Sequence, residues 1–213
     1  MAARLTLVIG TKRFSSWSLR AWLALKMAGL AFDEIEIRLR QTDTRANILK
    51  HSPSGRVPLL KDGELLVWES LAICEYIADL ACAVPMWPEN RAARALARAV
   101  ATEMHSGFMP LRQHLPMDVA QKIAPTAEAL TAATDDIARI QEIWSDCRAR
   151  YGSGGPFLFG RFSMADAMYA PVATRFDTYD VALNPTCAAY VAAIMALPAM
   201  QDWIEAAKIG EPV

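Results

Sequence analysis

Two runs of residues in this chain have the types and spacing to hold and activate a small ligand. The first is Phe14-Ser15-Ser16-Trp17-Ser18-Leu19-Arg20. Its three serines stand where an apolar helical pattern begins, and one of them serves as the helix cap. A further hydroxyl there, beside the positive end of the helix dipole, can donate to a thiolate. A thiol with an ordinary pKa of about 8.5 is ionised only to a few per cent at neutral pH. A charge-assisted hydrogen bond of roughly 1.5–3 kcal/mol lowers that pKa by about one to two units. The second run extends from Ser54 to Tyr76 and contains Val57-Pro58 and Glu69-Ser70. A helix opening at Glu69-Ser70 offers unpaired N–H groups to a carboxylate, and Glu69 can accept an ammonium. An extended backbone at Val57 can pair with a peptide main chain. Together these groups suit a small zwitterionic peptide.

The elements that must position these runs follow from the pattern. Leu5 to Ile9 reads as a strand, and Ser18 to Ala28 as a helix stopped by Gly29. Phe32 to Leu39 alternates, with Ile35, Ile37 and Leu39 on one face, as a half-buried strand does. Thr44 to Leu49 makes at most a short helix. Arg56 to Leu60 is extended, and Pro58 places it at an edge or a turn. Asp62-Gly63 closes a hairpin onto Leu65 to Trp68. The helix after it carries Leu71, Ile73, Cys74 and Ile77, with Ser70 as its N-cap or first-turn residue. The order β-α-β-α-β-β-α predicts a small mixed sheet flanked by helices.

Beyond Leu80 the chain becomes Ala-rich and helical. Ala97, Val100, Ala101, Met104, Phe108, Leu111 and Leu115 recur at helical steps, which predicts one long helix. Arg91, Arg98, His105 and Arg112, each seven residues apart, form one stripe on it. A second apolar run includes Leu130, Ile137, Ile140, Trp144 and Cys147, with Asp135–Arg139 and Asp146–Arg150 as i,i+4 pairs. Ser163-Met164-Ala165-Asp166 is a capping box, and Pro171 lies inside the helix that it opens, where it predicts a kink.

Composition narrows the function classes. The 213 residues are 54% hydrophobic and carry a net charge of −1, which argues against a nucleic-acid partner. No apolar stretch is long enough for a membrane span. Cys74, Cys82, Cys147 and Cys187 lack metal-ligand spacing and read as reduced thiols of a cytoplasmic protein.

Val57-Pro58 and Glu69-Ser70, with Ala72-Ile73, resemble the glutathione site of the glutathione S-transferases. The resemblance implies a cis Pro58, Val57 paired with the cysteinyl backbone of glutathione, and Glu69 and Ser70 on its γ-glutamyl end. It places Arg40, Arg45, His51 and Arg56 in the stretch that meets the glycine carboxylate, and Arg56 joins the binding set. The serine run is similar to the Ser-Ser-Cys-Ser-x-Arg signature of the zeta class, which implies Ser15 as the activating hydroxyl and Ser16 as runner-up. Trp17 stands where that signature has Cys, which tells against a maleylacetoacetate isomerase and against a Cys-type omega reductase. His105, Phe108 and Arg112, with Trp17, would border the second-substrate pocket, and Arg175 would meet a substrate carboxylate as in the zeta class. Ser163 and Asp166 match the box that opens the family's central buried helix, a folding role.

The implied architecture is an α/β thioredoxin-like domain over residues 1–80, a linker at 81–90 and an all-α domain over 91–213. The implied activity is attack by the glutathione thiolate on a small electrophile, with glutathione a co-substrate and no metal or organic cofactor. Two alternatives stand beside it. One is a zeta-like cis-trans isomerase. The other is a glutathione-binding stress or interaction protein with little catalysis, which needs Val57, Glu69 and Ser70 but not Ser15. A homodimer is implied by the family.

Overall fold

The computed structural model describes residues 5–209. Strand β1 (Leu5–Gly10) lies parallel to β2 (Phe32–Ile37) and antiparallel to β3 (Leu59–Asp62), and β3 turns into β4 (Leu65–Trp68), giving the order β2-β1-β3-β4. Helices α1 (Ser16–Met27), α2 (Thr44–Leu49) and α3 (Ser70–Leu80) flank this sheet. On one face Val8, Ile37 and Leu59 bury against Ile48 of α2, with Ile35 and Leu39 beside them. On the other face Leu7, Ile9 and Leu60 join the main core with α1 and α3.

Arg56 to Leu60 is not an edge strand. β3 starts at Leu59 and lies inside the sheet between β1 and β4. Pro58 falls one residue before the ladder begins, so its missing N–H removes no inter-strand bond. α1 begins at Ser16, two residues before the apolar pattern suggests, because Ser15 caps it.

The rest of the described chain is mainly helical: α4 (Arg91–Ser106), α5 (Met109–His114), α6 (Ala127–Tyr151), α7 (Met164–Thr178), α8 (Pro185–Met195) and α9 (Pro198–Ile209). Among the described residues no single helix is long and apolar enough to cross a membrane. The one long helix expected through Leu115 is two. Gly107 is extended and Phe108 adopts a left-handed φ of 61°, after which α5 starts with Pro110 in its first turn. Pro110 has no N–H to continue the ladder, and its ring would clash with the carbonyl of Ser106. Arg112 therefore leaves the stripe of Arg91, Arg98 and His105. The expected Asp135–Arg139 pair is also replaced. Arg139 forks onto Glu103 of α4 at 2.8 and 3.1 Å and bonds Glu142 at 2.8 Å, a two-bond geometry that one intrahelical contact cannot match. Asp146–Arg150 is present at 3.0 Å.

α7 is the central helix, and every residue of it except Asp177 is buried. It runs through Pro171 as one helix. Asp166 secures its start: the carboxylate accepts from the Ser163 N–H and hydroxyl, each at 2.8 Å, and from the Leu158 N–H at 3.0 Å. Burial pushes its pKa up to about 6 even though these bonds favour the anion.

Candidate active site

The loop from β1 to α1 is tied down before it presents any chemistry. Arg13 forks onto Asp118 with two bonds of 2.8 Å, and the Trp203 ring N–H donates to the Lys12 carbonyl at 3.0 Å. Thr11 Oγ1 accepts from the Leu39 N–H at 2.8 Å. The helical part thus fixes where α1 begins. There Ser15 is the N-cap: its Oγ accepts from the Ser18 N–H at 3.4 Å and donates to Ser18 Oγ at 2.7 Å. Ser18 Oγ in turn accepts from the Gly10 N–H at 3.0 Å. Ser16 is the first helical residue, and Trp17 follows, half-buried.

Trp17 is the wall between two cavities. The first, of about 500 Å³, is lined by Trp17, Ile48, Ser54, Gly55, Arg56, Val57, Pro58, Glu69 and His105. The Val57–Pro58 peptide bond is cis. Glu69 occupies the N-cap position of α3 with φ 71° and ψ 128°, so its backbone turns sharply out of β4 into the helix. Its Oε2 lies 4.0 Å from His105 Nε2 on α4. Ser70 begins α3; its Oγ is buried and has no hydrogen-bond partner among the described residues. His105 Nδ1 is likewise buried without a partner. Burial, and next Arg20, holds the His105 pKa below its ordinary value, against a smaller raising effect of Glu69.

The second cavity, of about 250 Å³, is lined by Phe14, Ser16, Trp17, Arg40, Arg112, Pro116, Met117 and Arg175. No carboxylate lines it. Arg175 Nε and Nη1 donate to the carbonyls of Leu115 and Pro171 at 3.0 and 2.8 Å, and Arg112 donates to the carbonyls of Gly107 and Met104. Both guanidiniums are therefore anchored by neutral acceptors. Burial and the charge of Arg112 push the Arg175 pKa down to about 9. Such a pocket draws an anionic group. No described group of His, Cys, Asp and Glu could hold a metal ion. Burial pushes the Cys74 thiol up to about 12, which disfavours its thiolate.

Two family models match this chain. Residues 14–80 match the glutathione S-transferase N-terminal domain and residues 94–206 the C-terminal domain. The chain belongs to the glutathione S-transferase family. It is 26% identical over 197 residues to the glutathione S-transferase Z2 of Arabidopsis thaliana, covering 88% of this chain and 86% of that one. It is 28% identical over 198 residues to a probable maleylacetoacetate isomerase of Vibrio cholerae, covering 87% and 89%. A glutathione transferase homologue from a Burkholderia strain, solved with bound glutathione, superposes with a TM-score of 0.71 at 25% identity, covering 98% of this chain and all of that one.

Against this transferase frame the residues singled out in the sequence separate into three groups. Val57, Pro58, Arg56 and Glu69 meet in the first cavity, with Ser70 directly behind Glu69. Ser16, Arg112 and Arg175 meet in the second, and Trp17 borders both. Four residues sit otherwise than the resemblance implies. Ser15 lines neither cavity and its hydroxyl is engaged as a cap. Phe108 is buried at the α4–α5 turn and also lines neither. His105 lines the first cavity and not the second. Arg40 moves the other way, since it lies over the Phe14 ring at 3.8 Å beside the second cavity. His51 is turned to Lys61, 3.2 Å away. Phe14, at the head of the serine run, also lines the second cavity, as do Pro116 and Met117, which no local pattern marks.

Proposed function

We propose that this chain is a glutathione transferase that binds glutathione in the first cavity and presents its thiolate at the N-terminus of α1. The observation that carries this reading is the convergence of Val57, Pro58 and Glu69 on one cavity, with the buried Ser70 hydroxyl still lacking a partner at the helix N-terminus behind it. A γ-glutamyl carboxylate would supply that acceptor and meet the positive end of α3, while Glu69 takes the ammonium. Sulfur would then lie near Trp17 at the entrance of α1. Ser15 would turn its proton from Ser18 to sulfur, giving up one neutral bond for a charge-assisted one. Ser16 is the alternative, since it already borders the second cavity. The thiol proton would leave to solvent, and the sulfur pair would form a bond to an electrophilic carbon held among Arg40, Arg112 and Arg175, while the leaving group on that carbon departs with its bonding pair as an anion.

The three arginines also favour a second reading, an isomerase whose substrate carries a carboxylate. In that case the thiolate adds to a conjugated carbon and is expelled after bond rotation, so glutathione is not consumed. Either reaction has the chain working as a homodimer in the cytoplasm. Leu65 and Trp68, exposed on the edge strand β4, support the dimer.

The test is a titration of glutathione bound to wild type, Ser15→Ala and Ser16→Ala, following thiolate absorbance against pH. A lowered thiol pKa in wild type, restored in one serine variant, supports the transferase and names the hydroxyl. Binding without any shift in wild type would leave a glutathione binder instead. Return of a carboxylate-bearing cis substrate as its trans isomer, with glutathione intact, would select the isomerase.

A further inference from the structure

Arg20 sits in the middle of α1 and is fully buried. None of its three guanidinium nitrogens has a hydrogen-bond partner among the described residues. A guanidinium keeps its proton in a protein, so this is a buried positive charge without a carboxylate. Such a charge is costly, and an apolar side chain of similar volume would ordinarily serve the fold better. What lies around it shows where the charge acts. Its guanidinium carbon is 4.3 Å from the centroid of the Trp17 ring, and Trp17 walls both cavities. Arg20 is four residues after Ser16 and three after Trp17, so all three share one face of α1. Arg112 lies over the same ring at 4.9 Å. Burial, and then Arg112 and Arg175, press the Arg20 pKa well down, while Cys74 and Tyr169 oppose them more weakly. No neighbour neutralises it.

We propose that Arg20 is a positioning residue for the thiolate: its buried, unpaired charge behind Trp17 maintains a positive field at the entrance of α1 that favours ionised sulfur. The inference rests on the transferase reading and adds a source of activation besides the serine hydroxyl. Low-dielectric surroundings let a charge act beyond hydrogen-bond distance, and there is little solvent around Arg20 to screen it. The fold thus carries a destabilising charge that an anionic ligand compensates.

The experiment compares wild type, Arg20→Met, Arg20→Gln and Arg20→Lys as full chains. The thiol pKa of saturating glutathione is read by thiolate absorbance, and thermal melts are recorded without ligand. The neutral variants should raise the bound thiol pKa by about one unit, a tenfold smaller ionisation constant. Arg20→Lys should stay near wild type. The unliganded neutral variants should melt at or above wild type. A purely structural Arg20 would give the opposite pattern, with lower melting and an unmoved pKa. An unchanged pKa in Arg20→Met and Arg20→Gln, an Arg20→Lys that shifts as far as they do, or neutral variants that do not fold would each overturn the proposal. If wild type itself leaves the thiol unshifted, the transferase reading falls, and this role falls with it.

Discussion

Glu69 does two separable things, and substitutions there can part them. Its carboxylate faces the first cavity, and its backbone holds φ at 71° where β4 turns into α3. The ion pair with an ammonium would be worth roughly 1.5–3 kcal/mol as a charge-assisted bond. The Glu69 side chain is 46% exposed, so solvent screening brings this to about 1–2 kcal/mol. That corresponds to about a five- to thirtyfold weaker Kd for glutathione in Glu69→Ala, and equally in Glu69→Gly. The backbone argument predicts a difference between the same two variants. A residue with a Cβ at this positive φ carries about 1–2 kcal/mol of strain, which Gly escapes. Part of that gain is offset by the larger entropy Gly loses on folding, which leaves Glu69→Gly about 1 kcal/mol more stable than Glu69→Ala. In a chain of this length the difference appears as roughly 2–4 °C in Tm. Isothermal titration calorimetry reads the first effect and denaturant unfolding the second. Glutathione binding in Glu69→Ala at wild-type strength would refute the assignment of the ammonium. A Glu69→Gly chain less stable than Glu69→Ala would refute the strain argument and leave the binding argument untouched.

Two further predictions concern pH and have opposite signs. Asp166 has its pKa raised to about 6, so the folded chain binds a proton more tightly than the unfolded chain in the window from about pH 4 to 6. Stability from this group is present below that window and is lost as pH rises through it, by about 2–3 kcal/mol in all. Denaturant unfolding of wild type against Asp166→Asn from pH 4 to 7 should show this slope, and a constant difference would contradict it. His105 has its pKa lowered, chiefly by burial and then by Arg20. The unfolded chain therefore takes up the proton first as pH falls below the ordinary histidine range, and the contribution of neutral His105 is lost on acidification. Wild type should lose stability relative to His105→Gln as pH falls below about 6.5, a trend whose absence or reversal in urea midpoints would contradict the burial argument.

The two cavities differ in how much of them can be read along the chain, for a physical reason. The first is built largely from two short local motifs. Val57 and Pro58 are adjacent, as are Glu69 and Ser70, and a single hairpin brings the pairs together. Turn chemistry and helix-start chemistry act over a few residues, so a linear reading captures them. The capping contact of Ser163 with Asp166 is legible for the same reason. The second cavity joins the Phe14-to-Trp17 run to Arg40, Arg112, Pro116-Met117 and Arg175, which only tertiary packing brings to it. Sequence spacing carries no information about such a set. Where periodicity was extended across a break it misled: the seven-residue spacing of His105 and Arg112 crosses Gly107 and the left-handed Phe108, so the two side chains face different cavities. Pro110 was the available sign of that break.

Arg20 shows a different limit of sequence reading. A charged residue within an apolar run ordinarily marks the solvent face of an amphipathic helix. α1 has no such face over much of its length, since Ser18 through Leu25 are all buried between the sheet, α3, α7 and α9. Only the packing shows that the Arg20 charge is inside. The same packing gives Trp17 its importance. An aromatic ring at the first turn of α1, with guanidiniums over it at 4.3 and 4.9 Å and the His105 ring against it at 5.2 Å, joins the first cavity to the arginine-lined one. The departure from the zeta signature at this position is thus more than a lost cysteine. An aromatic wall stands where that signature has a cysteine, and the two guanidiniums against its ring favour an anion beside it.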